Sequence, residues 1–160
     1  MWQEQGFVQG DVDVKTAMQR LALHIEQLAE RYHSYSADEL IVKPSPDKWS
    51  RQEILGHLID SAINNLKRFT DIQFSEQPYF IQSYKQNELV IVNNYNQLPV
   101  GHLIQLWQSL NQQIMYVVEQ IPGDKLNYKV DPQYNNHEMK TLSWGICDYV
   151  AHMEHHMKQL

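Results

Sequence analysis

The chain reads as an all-α protein, a four-helix bundle with short additional helices. Three observations predict this. Four stretches of about 18–23 residues repeat apolar side chains at helical spacing. Two Ser-x-x-Glu capping boxes and a Pro-Gly pair punctuate those stretches. The prolines fall between the stretches or at a helix start, where a missing N–H and a fixed φ do no harm.

The first helix is expected from about Asp13 to Tyr32, with Ala17, Leu21, His24, Ile25 and Leu28 on one face. Pro44 and Pro46 forbid helix in the loop that follows, although Ser36-Ala-Asp-Glu39 is a capping box that opens one short turn. A second box, Ser50-Arg-Gln-Glu53, announces the second long helix, to about Ile72, with Ile54, Leu55, Leu58, Ala62, Leu66 and Phe69 as its apolar stripe. Pro78 lies in the next connection, and a short helix is expected near Asn87–Tyr95 before Pro99. The third long helix, about Pro99 to Ile121, carries Leu103, Leu106, Trp107, Leu110, Ile114, Val117 and Val118, and Pro122-Gly123 stops it. Residues 124–140 are polar. Lys125–Val130 alternates as a short strand would, but irregular structure is the expectation there. Thr141 caps the last helix, Leu142 to about Lys158.

With 160 residues and 42% hydrophobic content, one domain spanning 1–160 is expected. The net charge of −6, with dispersed basic residues, argues against nucleic acid as a partner. Cys147 is the lone cysteine, so no intrachain disulfide forms and a reducing cytoplasm suits the chain. The start, Met-Trp-Gln-Glu-Gln-Gly, lacks the basic and apolar regions of a signal peptide. No apolar run approaches the roughly 20 residues of a membrane span. A soluble, cytoplasmic protein with no membrane partner is expected.

The last helix holds His152, His155 and His156. Residues four apart stack on one helix face, so His152 and His156 can grip one metal ion. At 100° per residue, His156 lies roughly 50° and His152 roughly 90° from the apolar direction set by Leu142, Ile146, Tyr149, Met153 and Leu160, whereas His155 points about 150° away. The inward pair is His152 and His156, and His155 faces solvent. Amphipathic boundary residues with no metal would show the same pattern. In the second helix, His57 sits in a polar strip with Glu53, Asp60, Ser61, Asn64 and Arg68. Periodicity alone reads that strip as a solvated face; it gains meaning only if it lines a cleft beside the last helix, where Asp60 and Ser61 can serve as outer partners of a ligand. His24, His33, His102 and His137 have no comparable company.

Three motifs carry a family resemblance. Lys48-Trp49-Ser50-Arg-Gln-Glu53-Ile-Leu-Gly56-His57-Leu-Ile-Asp60-Ser61-Ala62 resembles the second-helix signature of the DinB/YfiT-like metalloenzymes. Pro78-Tyr-Phe-Ile-Gln-Ser-Tyr84-Lys-Gln-Asn-Glu-Leu-Val90 is similar to their central loop and following helix. Thr141-Leu142 with Tyr149, His152, His156 and Gln159 is similar to their last-helix pattern. The resemblance runs from about Ser36 to Leu160. It implies a four-helix bundle with an unusual connection order and a divalent metal held by His57, His152 and His156. Lys85 and Leu89 depart from it, standing where family members carry an acidic and an aromatic residue.

Three neutral imidazoles leave a cation its full charge and at least one open position. Zinc is the first expectation, with nickel, iron or manganese as alternatives, because ligand type alone does not select among them. Such an ion lowers the pKa of bound water to about 7 or holds a thiol as its thiolate. The resemblance favours the thiol, since the family's characterised members include thiol-dependent S-transferases and a thiol-dependent isomerase. It implies a low-molecular-weight thiol as co-substrate and an electrophilic small molecule as substrate. A metal–water hydrolase and a non-catalytic metal- or ligand-binding bundle are the alternatives. Asp60 and Arg68 are candidates to orient a substrate, and Glu53 is a weaker candidate because its capping box already accounts for it. Cys147 is expected as a buried small hydrophobe. The family also suggests a homodimer.

Overall fold

The computed structural model describes residues 6–8, 13–133 and 136–160. Four long helices form the bundle: α1 (Val14–His33), α3 (Arg51–Asp71), α5 (Val100–Glu119) and α6 (Leu142–Met157). Two short helices, α2 (Ala37–Ile41) and α4 (Gln86–Asn93), decorate its ends, with 3₁₀ turns at Tyr95–Gln97 and Lys125–Asn127. No helix among the described residues is long and apolar enough to cross a membrane.

The helix starts follow the capping chemistry of the sequence. Asp13 caps α1 by accepting from the N–H of Lys15. Both capping boxes form, at Ser36/Glu39 and Ser50/Glu53, and Thr141 caps α6 by accepting from the N–H of Trp144. Each satisfies main-chain donors that a helix start leaves unpaired, worth about 1 kcal/mol per cap. α4 ends differently, at Asn94 in the left-handed region (φ 51°), a conformation that asparagine tolerates.

The principal packed pairs are α3–α5, α1–α6, α1–α5 and α3–α6. The long helices that follow each other in sequence, α1/α3 and α5/α6, therefore lie across the diagonals of the bundle. Leu21, Leu55, Leu103, Trp107, Ile114 and Ile146 are fully buried between them, each contributing roughly 1.5–3 kcal/mol through burial. One consequence concerns the site: the start of α3 lies against the end of α6.

The segment before α6 departs from the expectation of irregular structure. After the 3₁₀ turn, Lys129–Asp131 forms a strand, β2, parallel to β1 (Tyr79–Phe80) and antiparallel to β3 (Lys140–Thr141). Lys125–Asn127 forms the 3₁₀ turn, and only the end of the alternating stretch, Lys129 and Val130, lies in this strand, with Val130 fully buried. Its partners lie about fifty residues upstream and ten downstream, so local pattern cannot reveal the pairing. This small sheet ties the central loop, residues 81–85, to the approach of α6.

Candidate metal centre

His57 projects from the second turn of α3, and His152 and His156 from successive turns near the end of α6. The structure brings these three side chains together. One ring nitrogen from each lies within 4.8 Å of the other two. His57 Nε2 stands 3.2 Å from His152 Nε2, and the ring centroids are 4.5–5.1 Å apart. Two imidazole nitrogens on one tetrahedral zinc, each at about 2.0–2.1 Å, are separated by about 3.4 Å. The observed spacing fits a shared cation. Among the described residues, His57 Nδ1 and His156 Nδ1 are buried without a hydrogen-bond partner.

Charge supports the same fit. Burial, and then the neighbouring His156, pushes the His57 imidazole down to about 3. Burial and His155 push His156 down to about 4, and His152 lies well below its ordinary value for the same kind of reason. At neutral pH all three rings are uncharged, with lone pairs available, as metal ligation requires. His155 is exposed, as the helical wheel of α6 predicts.

The polar strip of α3 is a buried seam, not a solvated face. His57 and Ser61 have at most 1% exposure, and Asp60 and Arg68 are also buried. Ser61 Oγ stands 3.4 Å from His152 Nδ1, which turns the other ring nitrogen towards His57. Tyr84, from the central loop, lies with its ring 5.6 Å from the Arg68 guanidinium. Arg68 donates to the carbonyl of Gln82 and so holds that loop over the seam.

Asp60 and Arg68 share this seam without joining the three imidazoles. Asp60 Oδ1 accepts from the Tyr95 hydroxyl at 2.6 Å and from Asn93, while its Oδ2 is buried with no partner among the described residues. Burial raises this carboxyl to about 6. Tyr95 reaches Asp60 only because residue 56 is glycine: a Cβ there would lie 2.0 Å from the Tyr95 ring. Glu53 is accounted for by its cap on Ser50 and an ion pair with Lys43. Cys147 is buried, and burial pushes its thiol up, away from the reactive thiolate.

The sequence model of the DinB superfamily matches residues 17–160. The chain belongs to the DinB superfamily. Among DinB relatives, a protein of Oceanobacillus iheyensis, named provisionally as a metal-dependent hydrolase, is 22% identical over 148 residues, covering 92% of this chain and 83% of its own. YfiT from Bacillus subtilis, described in similarly provisional terms as a metal-dependent hydrolase with an unusual four-helix bundle topology, superposes with a TM-score of 0.82 at 18% identity, over 96% of this chain and 88% of its own. A mycothiol-dependent maleylpyruvate isomerase superposes with a TM-score of 0.70 at 13% identity, over 96% of this chain; the chain spans 62% of the isomerase's length. At these identities the likenesses establish the DinB bundle and its diagonal connections.

Within this DinB chain, two aromatic side chains at the centre lie outside the helical periodicity, Trp49 marked only by the family motif and Phe7 by nothing in the sequence. The Trp49 ring lies 4.6 Å from His57 and 5.9 Å from His156, and the Phe7 ring lies 5.2 Å from His152. Single aromatics outside a periodic segment give no clue to where they pack. Gly56 inside α3 was the available hint of a close approach, though not of Tyr95 as its cause. His24 and His137, which lack metal-binding company, each meet a carboxylate instead, Glu154 at 2.9 Å and Asp131 at 2.7 Å. A cavity of about 850 Å³ between α1 and the end of α6 is lined by His24, Arg31, Glu154 and Lys158, and none of the three clustered histidines borders it.

Proposed function

We propose that this protein is a metal-dependent enzyme in which His57, His152 and His156 hold one divalent cation, and that it transfers a low-molecular-weight thiol to an electrophilic small molecule. The observation that carries the reading is the meeting of three uncharged imidazoles, two of them fully buried, at a spacing that suits one ion. Zinc is the first choice of cation, with nickel, iron or manganese as alternatives. Bound there, such an ion supplies Lewis acidity that makes a thiol or a water reactive at neutral pH. The chain's own residues do the rest. Ser61 orients His152, Trp49 and Phe7 keep the surroundings apolar, and Asp60 and Arg68 offer polar groups for the substrate along the seam. The thiol reading draws support from the mycothiol-dependent isomerase that shares the bundle.

A metal–water hydrolase is the second reading, favoured by the names given to the Oceanobacillus iheyensis relative and to YfiT. Incubating metal-loaded protein with a panel of alkylating and ester electrophiles, with and without cysteine, glutathione, bacillithiol and mycothiol, separates the two. The transferase predicts product only when a thiol is present. Turnover without any thiol contradicts it and favours hydrolysis.

A further inference from the structure

The short segment 6–8 lies against α6 beside the histidine centre, with Val8 packed on the core and the main chain held by one carboxylate. The main-chain N–H groups of Phe7 and Val8 both donate to Oδ1 of Asp148, the latter at 3.0 Å. Asp148 is on α6, one turn before His152, and is 3% exposed. A buried carboxylate is costly unless hydrogen bonds satisfy it, and here the donors come from about 140 residues away. Beyond this fastening, the Phe7 ring rests 5.2 Å from His152 and 5.1 Å from His155. His155, which faces away from the centre, thus provides the second half of the platform on which Phe7 sits. Trp49 covers His57 and His156; Phe7 covers His152.

Resting on the three-histidine reading above, we propose that residues 6–8 form a latched cover over the histidine centre: Asp148 is the latch, Phe7 closes over His152, and whatever occupies the centre exchanges when the latch opens. Among the described residues, opening breaks two hydrogen bonds, two ring contacts and the packing of Val8 on the edge of the core, while the four long helices keep their own contacts. The device therefore acts on access without acting on the ligand set. Phe7 and Asp148 are positioning residues, since neither contributes one of the three clustered nitrogens.

Such a cover has a kinetic signature that a merely structural role lacks. A cover open about a tenth of the time slows entrance and exit alike, about tenfold, and leaves the equilibrium affinity unchanged. The test loads full-length protein with Co²⁺ and follows the visible absorption after mixing with excess EDTA, for the parent, Phe7→Ala and Asp148→Ala. Binding constants are measured in parallel by competition with a chelating dye. The cover predicts that both variants release Co²⁺ about tenfold faster at unchanged affinity, because uptake accelerates equally. Unchanged release rates overturn it. Faster release with a proportional loss of affinity overturns it too, since the residues then only support the site. Phe7→Ala removes a side chain outside the bundle, so it carries the test if Asp148→Ala does not fold. Failure of the parent to bind Co²⁺ defeats the underlying three-histidine reading and the cover with it. Binding with unaltered kinetics defeats the cover alone.

Discussion

His57 and His152, ninety-five residues apart in sequence, face each other nitrogen to nitrogen at 3.2 Å. Neither helix requires this. Two unprotonated imidazoles so close set lone pair against lone pair unless one ring donates a proton or a cation lies between them. Both rings are fully buried, so water does not relieve the contact.

This arrangement has a consequence in pH. Free histidine competes for protons near 6.5, and a site of three such ligands loses affinity steeply below that value. Here burial lowers His57 to about 3 and His156 to about 4, with His152 also well below its ordinary value. Protons therefore compete with a metal only as the pH nears about 4. Metal affinity, measured by competition with a dye of known pH dependence, is expected to stay flat between pH 7 and about 5.5. A steep fall beginning near 6.5 contradicts the burial of the set.

Ser61 is the hydroxyl at His152 Nδ1. Replacing such a partner of a metal-binding histidine commonly costs 10–100-fold in affinity. Ser61→Ala is expected to weaken metal binding by about that factor with little loss of helicity. Isothermal titration and circular dichroism read the two effects separately.

Gly56→Ala places a methyl group where the Tyr95 ring stands, with 2.0 Å between a built Cβ and the ring. Either α3 or the Tyr95 turn must shift, at a cost of about 1–3 kcal/mol. Urea unfolding is expected to show that loss even though alanine is the better helix former. A gain in stability would show that Tyr95 does not press on α3.

Asp60 gives a pH effect of opposite sign to that of the histidines. Burial raises its carboxyl from 3.8 to about 6. A raised folded-state value means that the favourable contribution is complete below about 3.8 and is lost as the pH rises through about 6. Asp60→Asn removes the buried charge, so its stability relative to the parent is expected to improve as pH rises from about 4 to 7. Thermal melts across that range check the trend; a variant that loses stability relative to the parent as the pH rises contradicts it.

Much of the fold is legible in the sequence, and for physical reasons. Capping boxes, proline positions and the 3.6-residue period act locally, so the helices fall within a few residues of where their sequence places them. The choice of His152 and His156 over His155 followed from the same period. The surroundings of His57 were harder to read. Its polar strip looks solvated on α3 alone and becomes a buried seam only because the end of α6 and the central loop lie across it; it was the family resemblance, not the spacing, that singled out His57. Phe7, Tyr95 and Asp148 act through contacts between distant segments, and no local pattern marks them. The three short strands fall in the same class, because each exists only through its partners.

Metal content decides whether His57, His152 and His156 hold an ion. Protein purified without a histidine tag and without chelators is digested and its metals are counted by inductively coupled plasma mass spectrometry, alongside His57→Ala. About one divalent ion per chain is expected in the parent and little in the variant. A parent that carries no stoichiometric metal, and takes up none when zinc, nickel, iron or manganese is added, contradicts the three-histidine metal site.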